Sequence, residues 1–198
     1  MKTLDELAII HGADKGTTHH VKGHGYAPIY DSFFNPLREE KLKVLEIGVG
    51  GGESIRMWMD YFPNASIHGI DIVRDTNILN TPGKPYRNYQ FIHGSQSDRT
   101  MWKCFLADYG SDWDIIVDDG GHFSDQVMIS FEEMWPHVKS GGFYCIEDMG
   151  VASTPGTVFI TNGVNHMDWI RDLLHKMNNG SDIGALHFFK ELAIFQKK

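Results

Sequence analysis

Two pairs of adjacent acids, Asp118-Asp119 and Glu147-Asp148, each close an apolar run of strand character. A third run, Val44-Leu45-Glu46-Ile47, opens into Gly48-Val49-Gly50-Gly51-Gly52 and then a helix-like stretch that starts at Glu53-Ser54. These residues suit two kinds of chemistry. Glycines let the backbone approach a ligand closely, and the start of the following helix offers free N–H groups. Carboxylates gathered at one place repel one another unless a cation holds them. A hard divalent cation with oxygen ligands, magnesium above all, is the natural occupant. Successive strand side chains point to opposite faces, so Asp118 and Asp119 do not ligate together. The expected metal set is therefore Asp119, Glu147 and Asp148.

The glycine turn has two possible ligands. Asp71 ends the next apolar run, where a carboxylate grips a ribose diol. Gly94-Ser95-Gln96-Ser97-Asp98 follow the third run, where short polar groups meet an adenine edge or cap a helix. Dinucleotide sites use the same parts, but their fingerprint has glycine at the sixth position, which here is Glu53. Glu46 adds a second acid just before the turn. Acids so placed repel a pyrophosphate and welcome a sulfonium or an ammonium group. S-adenosylmethionine carries both cations and no phosphate.

The elements that must position these residues follow from periodicity. Lys43–Ile47, Ser66–Asp71, Tyr89–His93, Asp114–Asp118 and Phe143–Glu147 read as strands, several of them continuously apolar and so buried on both faces. Amphipathic helices are expected over Ser54–Tyr61, Thr100–Tyr109 and Phe123–Trp135, with Ser97-Asp98 able to cap the second. This alternation predicts a Rossmann-like, doubly wound α/β fold with a mostly parallel sheet. All five strands then open toward one carboxyl edge, where the glycine turn and both acid pairs meet. Before them, Thr3-Leu4-Asp5-Glu6 is a capping box opening a helix that Gly12 can close, and Pro28–Glu40 reads as a second helix. After them come a helix over His166–Asn178 and a closing antiparallel hairpin of Ala185–Phe189 and Leu192–Phe195. No repeat or linker divides the 198 residues, so one domain is expected, with residues 1–40 as a helical or lid segment before a core at 41–198.

Composition narrows the function classes. A formal net charge of -8 without a basic run argues against a nucleic-acid partner. No apolar stretch reaches the length of a membrane span, and the acidic N-terminus is no signal peptide, so a cytoplasmic location is expected. Cys104 and Cys145 have neither metal-ligand nor disulfide spacing. Of the 11 histidines, His19, His20 and His24 cluster in a Gly/Thr-rich loop, a poor preformed metal site, and are given no catalytic role. The partner is a small-molecule acceptor, and a homo-oligomer is compatible with the sequence.

Val44–Ser54, Asp71, Gly94–Asp98, Asp114–His122 and Gly141–Asp148 together resemble the class I S-adenosylmethionine-dependent methyltransferases. More closely, they are similar to the magnesium-dependent O-methyltransferases that act on deoxysugars of macrolide and related antibiotics. Asp-Lys-Gly at 14–16 and the aromatic-rich Tyr26–Arg38 also match that group. The resemblance implies O-methylation of a sugar or other vicinal diol in natural-product biosynthesis, with S-adenosylmethionine and Mg2+ as cofactors. It implies that Glu46, Gly48, Gly50, Ser54, Asp71, Ser95, Gln96, Ser97 and Asp118 hold the methyl donor and that Asp119, Glu147 and Asp148 hold the metal. The acid spacing is also similar to that of catechol O-methyltransferases, in which a lysine base follows the first metal acid by three residues. His122 takes that place here, either as general base or to orient Asp119, and His187, which matches a histidine expected near the C-terminus of the sugar enzymes, is the second candidate base or else a packing residue of the hairpin. Residues 13–26 and 149–163 read as surface loops or as lids that exclude water. The competing readings are a dinucleotide-dependent oxidoreductase, a metal-dependent hydroxylase and a non-catalytic cofactor-binding protein. An all-carboxylate cluster argues against the hydroxylase, which needs two histidines and one carboxylate. A thermal-shift titration separates the first rival: S-adenosylhomocysteine is expected to raise the melting temperature and NAD to leave it unchanged.

Overall fold

Most of the expected elements form where the apolar pattern places them. The computed structural model describes residues 1–19, 22–73, 88–154, 156–177 and 179–198. Strands β1 (Lys43–Ile47), β2 (Ser66–Asp71) and β3 (Tyr89–His93) match expectation, and β4 (Trp113–Asp118) starts one residue earlier than its apolar run. Strand β5 (Val138–Ile146) begins well before Phe143, because the register against β4 jumps between Trp113/Val138 and Ile115/Phe143. The extra residues include Gly141, whose φ is +79°. A glycine bulge of this kind breaks the apolar pattern while the strand continues.

The helices are set by their ends. Helix α1 (Leu4–His11) has the capping box: Glu6 N donates to Thr3 Oγ1 at 3.2 Å, and Thr3 N donates to the Glu6 carboxylate at 2.7 Å. Helix α2 (Tyr26–Phe34) is shorter than the expected Pro28–Glu40 at its far end, where Asn35-Pro36-Leu37 tightens into a 3-10 turn. Pro36 has no N–H to continue an α-helical ladder. Helix α3 spans Glu53–Tyr61, and α4 spans Arg99–Tyr109 with Thr100 N donating to Asp98 Oδ1 at 2.8 Å. Helices α5 (Ser124–Met134) and α6 (His166–Met177) follow; Asn178, the expected last residue of α6, lies outside the described residues. The closing hairpin is β6 (Ile183–Phe189) and β7 (Leu192–Lys197), turning at Glu191 with φ +63°.

The seven strands form one sheet in the order β3-β2-β1-β4-β5-β7-β6. The first five run parallel, and β7 pairs antiparallel with both β5 and β6. Alternation along the strands builds two cores. Val44, Ile67, Val117, Cys145 and Ile194 face α1, α2 and α3, meeting Leu4, Tyr26, Phe34 and Trp58. Leu45, Ile70, Ile116, Tyr144 and Phe195 face α4, α5 and α6, meeting Trp102, Phe131 and Ile170. Neighbouring strands β1 and β4 send their following connections to opposite faces, which opens a crevice at the carboxyl edge. Among the described residues no helix is long and apolar enough to cross a membrane.

Gly48 holds the crevice tight. Its φ is +86°, and a Cβ there would run into the main-chain carbonyl of Asp119. Gly48→Ala is expected to cost at least about 2 kcal/mol of stability, combining the left-handed backbone with that clash. A lower urea midpoint at unchanged m-value is the expected result.

Candidate active site

The turns after β1 to β4 enclose a cavity of about 680 Å3. Its walls include Gly48, Gly50, Ser54, Asp71, Ser95 and Gln96, so six of the expected cofactor residues come together. Asp71 braces the glycine turn: its Oδ2 accepts from Val49 N at 2.8 Å and Gly50 N at 3.0 Å, and its Oδ1 accepts from Val73 N at 2.8 Å. With two acceptor positions per oxygen, the described residues fill all but one on Asp71, the remaining one being on Oδ1, where a ribose hydroxyl would fit. Gln96 is also largely engaged, accepting from Gly121 N at 2.8 Å and donating to Asp118 at 3.1 Å.

The other three do not line this cavity. Ser97 is exposed and its hydroxyl pairs with Ser95 at 2.8 Å. Asp118 lies on the α5 face, taking hydrogen bonds from Gln96, Ser130 and Tyr144. Glu46 lies on the opposite face, where Ser54 Oγ donates to it at 2.8 Å and Trp58 Nε1 at 3.3 Å. Both departures follow from strand alternation, which carries these side chains behind the cavity wall. Burial pushes the Glu46 carboxyl up to about 7 against the pull of Lys15.

Lys15 is the residue that sequence reasoning did not single out. It is fully buried, with Nζ 2.5 Å from Asp119 Oδ2, 2.8 Å from Glu147 Oε2 and 3.4 Å from Glu46 Oε1. Burial works against its charge, but the three carboxylates outweigh it and hold the amine well above the usual lysine range. Burial raises Asp119 as well, against the pull of Lys15 and His122. Burial also raises Glu147 well above the usual carboxylate range, against the pull of Lys15, so one ammonium is shared among three acids whose charged forms are disfavoured. The sequence signal for Lys15 was only the Asp-Lys-Gly tripeptide, and its partners Asp119 and Glu147 stand 104 and 132 residues away.

The acid pairs split as alternation demands, with one exception. Glu147 continues the face of Cys145, where it is buried between Lys15 and Tyr30, whose hydroxyl donates at 2.7 Å. Asp148 should turn away, but its φ of +54° swings it back, and His122 has φ +57°. Left-handed backbone outside glycine is strained and concentrates at functional sites. The result brings oxygen atoms of Asp119 and Asp148 and a ring nitrogen of His122 within 4.8 Å of one another. His122 Nε2 lies 3.9 Å from Asp119 Oδ1 and 3.5 Å from Asp148 Oδ2. The two carboxylates fit a hard divalent cation, with the imidazole beside them. Of the expected trio, Asp119 and Asp148 belong to this group, and Glu147 lies next to it with Oε2 on Lys15 and Oε1 on Tyr30.

The remaining histidines separate. His187 is on β6, level with Cys145 through its pairing to Ile194, and packs edge-on against Phe33 at 4.8 Å between ring centroids. Three strand positions separate it from β4, roughly 14 Å at strand spacing, so it cannot act as base beside Asp119. His19 lines the cavity, His24 Nδ1 lies 3.3 Å from Asp148 Oδ1, and His20 falls outside the described residues.

No protein-family model matches the chain. Among curated proteins it is 38% identical over 140 residues to mycinamicin VI 2''-O-methyltransferase of Micromonospora griseorubida, covering 67% of this chain and 33% of that protein. It is 33% identical over 160 residues to 8-demethyl-8-(2-methoxy-alpha-L-rhamnosyl)-tetracenomycin-C 3'-O-methyltransferase of Streptomyces olivaceus, covering 77% of this chain and 38% of that protein. Where nearly the whole chain aligns, it spans about half the length of such a relative. Among solved structures it is similar to the MycE methyltransferase of the mycinamycin pathway in complex with Mg, SAH and mycinamycin VI. That match has a TM-score of 0.84 and 30% identity, over 99% of this chain and 54% of MycE.

Tyr30→Phe tests the packing around Glu147. Deleting the hydroxyl leaves a buried carboxylate oxygen without its donor, at an expected cost of about 1–3 kcal/mol. Urea denaturation of the two proteins measures the difference.

Proposed function

This chain belongs to the class I S-adenosylmethionine-dependent methyltransferases, and we propose that it moves a methyl group from that donor to a hydroxyl of a sugar-bearing small molecule with the help of a divalent cation. One observation carries the reading: Asp119 lines the cofactor cavity and also belongs to the Asp119–His122–Asp148 group, so the two sites share a wall. A donor in the cavity would present its methyl toward the place where the cation holds an acceptor.

The cavity suits a cationic ligand. Asp14, Glu53, Asp71 and Asp119 line it, and among its described lining residues there is no lysine or arginine. Among the described lining residues a pyrophosphate would meet acids and no basic Lys or Arg side chain, which weighs against the oxidoreductase reading. Oxygen-activating iron sites need two histidine ligands, and the Asp119–His122–Asp148 group contains only one histidine, which weighs against the hydroxylase.

Asp119 and Asp148 would hold the cation, with Glu147 completing the acidic wall behind them. When bound, Mg2+ would supply Lewis-acid polarisation of an acceptor hydroxyl. His122 Nε2, between the two aspartates, is placed to take the hydroxyl proton, and an imidazole suits that task near neutral pH. Asp71 would accept from a ribose hydroxyl, and the turn at Ser95-Gln96 would meet the adenine. One relative is named for a rhamnosyl tetracenomycin and another for mycinamicin VI, and a glycoside with neighbouring hydroxyls is the acceptor class proposed here. The segments at 13–26 and 149–163 flank the site and would shape the acceptor pocket.

Incubation with S-adenosylmethionine, Mg2+ and a panel of deoxysugar glycosides should yield a product heavier by one methyl group, and a chelator should abolish it. His122→Gln should lower kcat roughly 100- to 10,000-fold while S-adenosylhomocysteine still binds. Full activity in the presence of chelator, or in the His122 variant, would remove the mechanism.

A further inference from the structure

Two carboxylates of the cation group are each clamped through one oxygen only. Asp119 gives Oδ2 to the Lys15 ammonium at 2.5 Å and turns Oδ1 toward His122. Asp148 accepts from the Tyr26 hydroxyl on Oδ1 at 2.7 Å and turns Oδ2 toward His122. Both clamps come from the N-terminal segment, Lys15 from the loop after α1 and Tyr26 from the first turn of α2. Lys15 also takes Glu147 Oε2 and faces Glu46, so its charge is spent wholly on acids of the carboxyl edge.

We propose that Lys15 is a positioning residue for the divalent cation, a built-in counter-ion that keeps Asp119 and Glu147 assembled before the metal arrives. Tyr26 completes the arrangement by holding Asp148. This rests on the cation reading above and adds the residues that prepare the site. Buried carboxylates without a counter-ion separate or take up protons. With the ammonium in place the cluster can stay assembled, and the outward oxygens, Asp119 Oδ1 and Asp148 Oδ2, are already aimed at one point. Tyr26 orients a ligand without adding charge, and groups of that kind commonly contribute 10–100-fold to affinity, whereas Lys15 supplies positive charge that a bound cation can replace.

A purely structural lysine and a built-in counter-ion differ in one respect: only the second can be replaced by a metal ion. Lys15→Met should melt roughly 10 °C lower than wild type in chelator. Saturating Mn2+ should restore much of that loss, giving a clearly larger metal-induced shift than in wild type. An equal shift in both proteins, or a variant that Mn2+ cannot refold, overturns the proposal for Lys15. Tyr26→Phe, which removes only a hydroxyl, should weaken Mn2+ at least about 10-fold by calorimetry while leaving the S-adenosylhomocysteine affinity unchanged. Unchanged Mn2+ affinity overturns the clamp on Asp148. A wild-type protein that binds S-adenosylhomocysteine but gives no Mn2+ isotherm removes the cation reading itself, and the proposal with it.

Discussion

A single ammonium group, Lys15 Nζ, sits out of solvent among Glu46, Asp119 and Glu147. Removing a charge from water costs several kcal/mol, and only close opposite charges make such a position tenable. The three acids come from the ends of β1, β4 and β5, so one side chain ties together three neighbouring strands of the sheet at the edge where the ligand site lies. It also ties that edge to the N-terminal segment. Gly12, Ala13 and Asp14, immediately before Lys15, form part of the cofactor cavity wall. The same ion group therefore bounds the candidate methyl-donor cavity on one side and supports the candidate cation site on the other.

Strand alternation decides which acids can work together. Asp118 and Asp119 part to opposite faces, and Asp118 is satisfied by Gln96, Ser130 and Tyr144. Glu147 and Asp148 would part in the same way if both kept strand conformation. The left-handed backbone at Asp148, matched at His122, overrides the alternation and brings the two side chains toward Asp119. Conformations that cost free energy locally persist where surrounding contacts over-determine them. Here the Tyr26 hydroxyl holds Asp148, and the hydrogen bond from Met149 N to Glu191 O fixes the chain just beyond it.

Much of this was legible in the sequence. The strands and helices could be read because apolar runs of strand length alternate with 3.6-residue patterns, and the capping box at Thr3 and Glu6 is a purely local signal. The glycine turn, Asp71 and both acid pairs were legible for the same reason, each being a short motif at a strand end. What failed to show depends on side-chain direction or on distant partners. Glu46 and Asp118 belong to the right strands but point behind the cavity. His187 was chosen by resemblance, and the strand order puts it on the far edge. The early start of β5 was hidden by Ser140-Gly141-Gly142, where an irregular register replaces apolar continuity. Lys15 has no periodic or spacing signal at all, because what makes it special is assembled only when α1 and α2 dock on the sheet. The left-handed turns at His122 and Asp148 are equally silent, since neither residue is a glycine.

The near-contact between Gly48 and the Asp119 backbone also bears on how such an enzyme can diversify. The floor under the donor and the floor under the acceptor are, at that point, touching strands of one main chain, with Asp119 N bonded to Ile47 O at 2.8 Å. The two are therefore coupled, and the spacing between the candidate donor cavity and the candidate cation group is set by the scaffold. Variation in what the site accepts then has to come from residues outside this frame, because Lys15 and Tyr26 are themselves tied to the acids of the sheet edge.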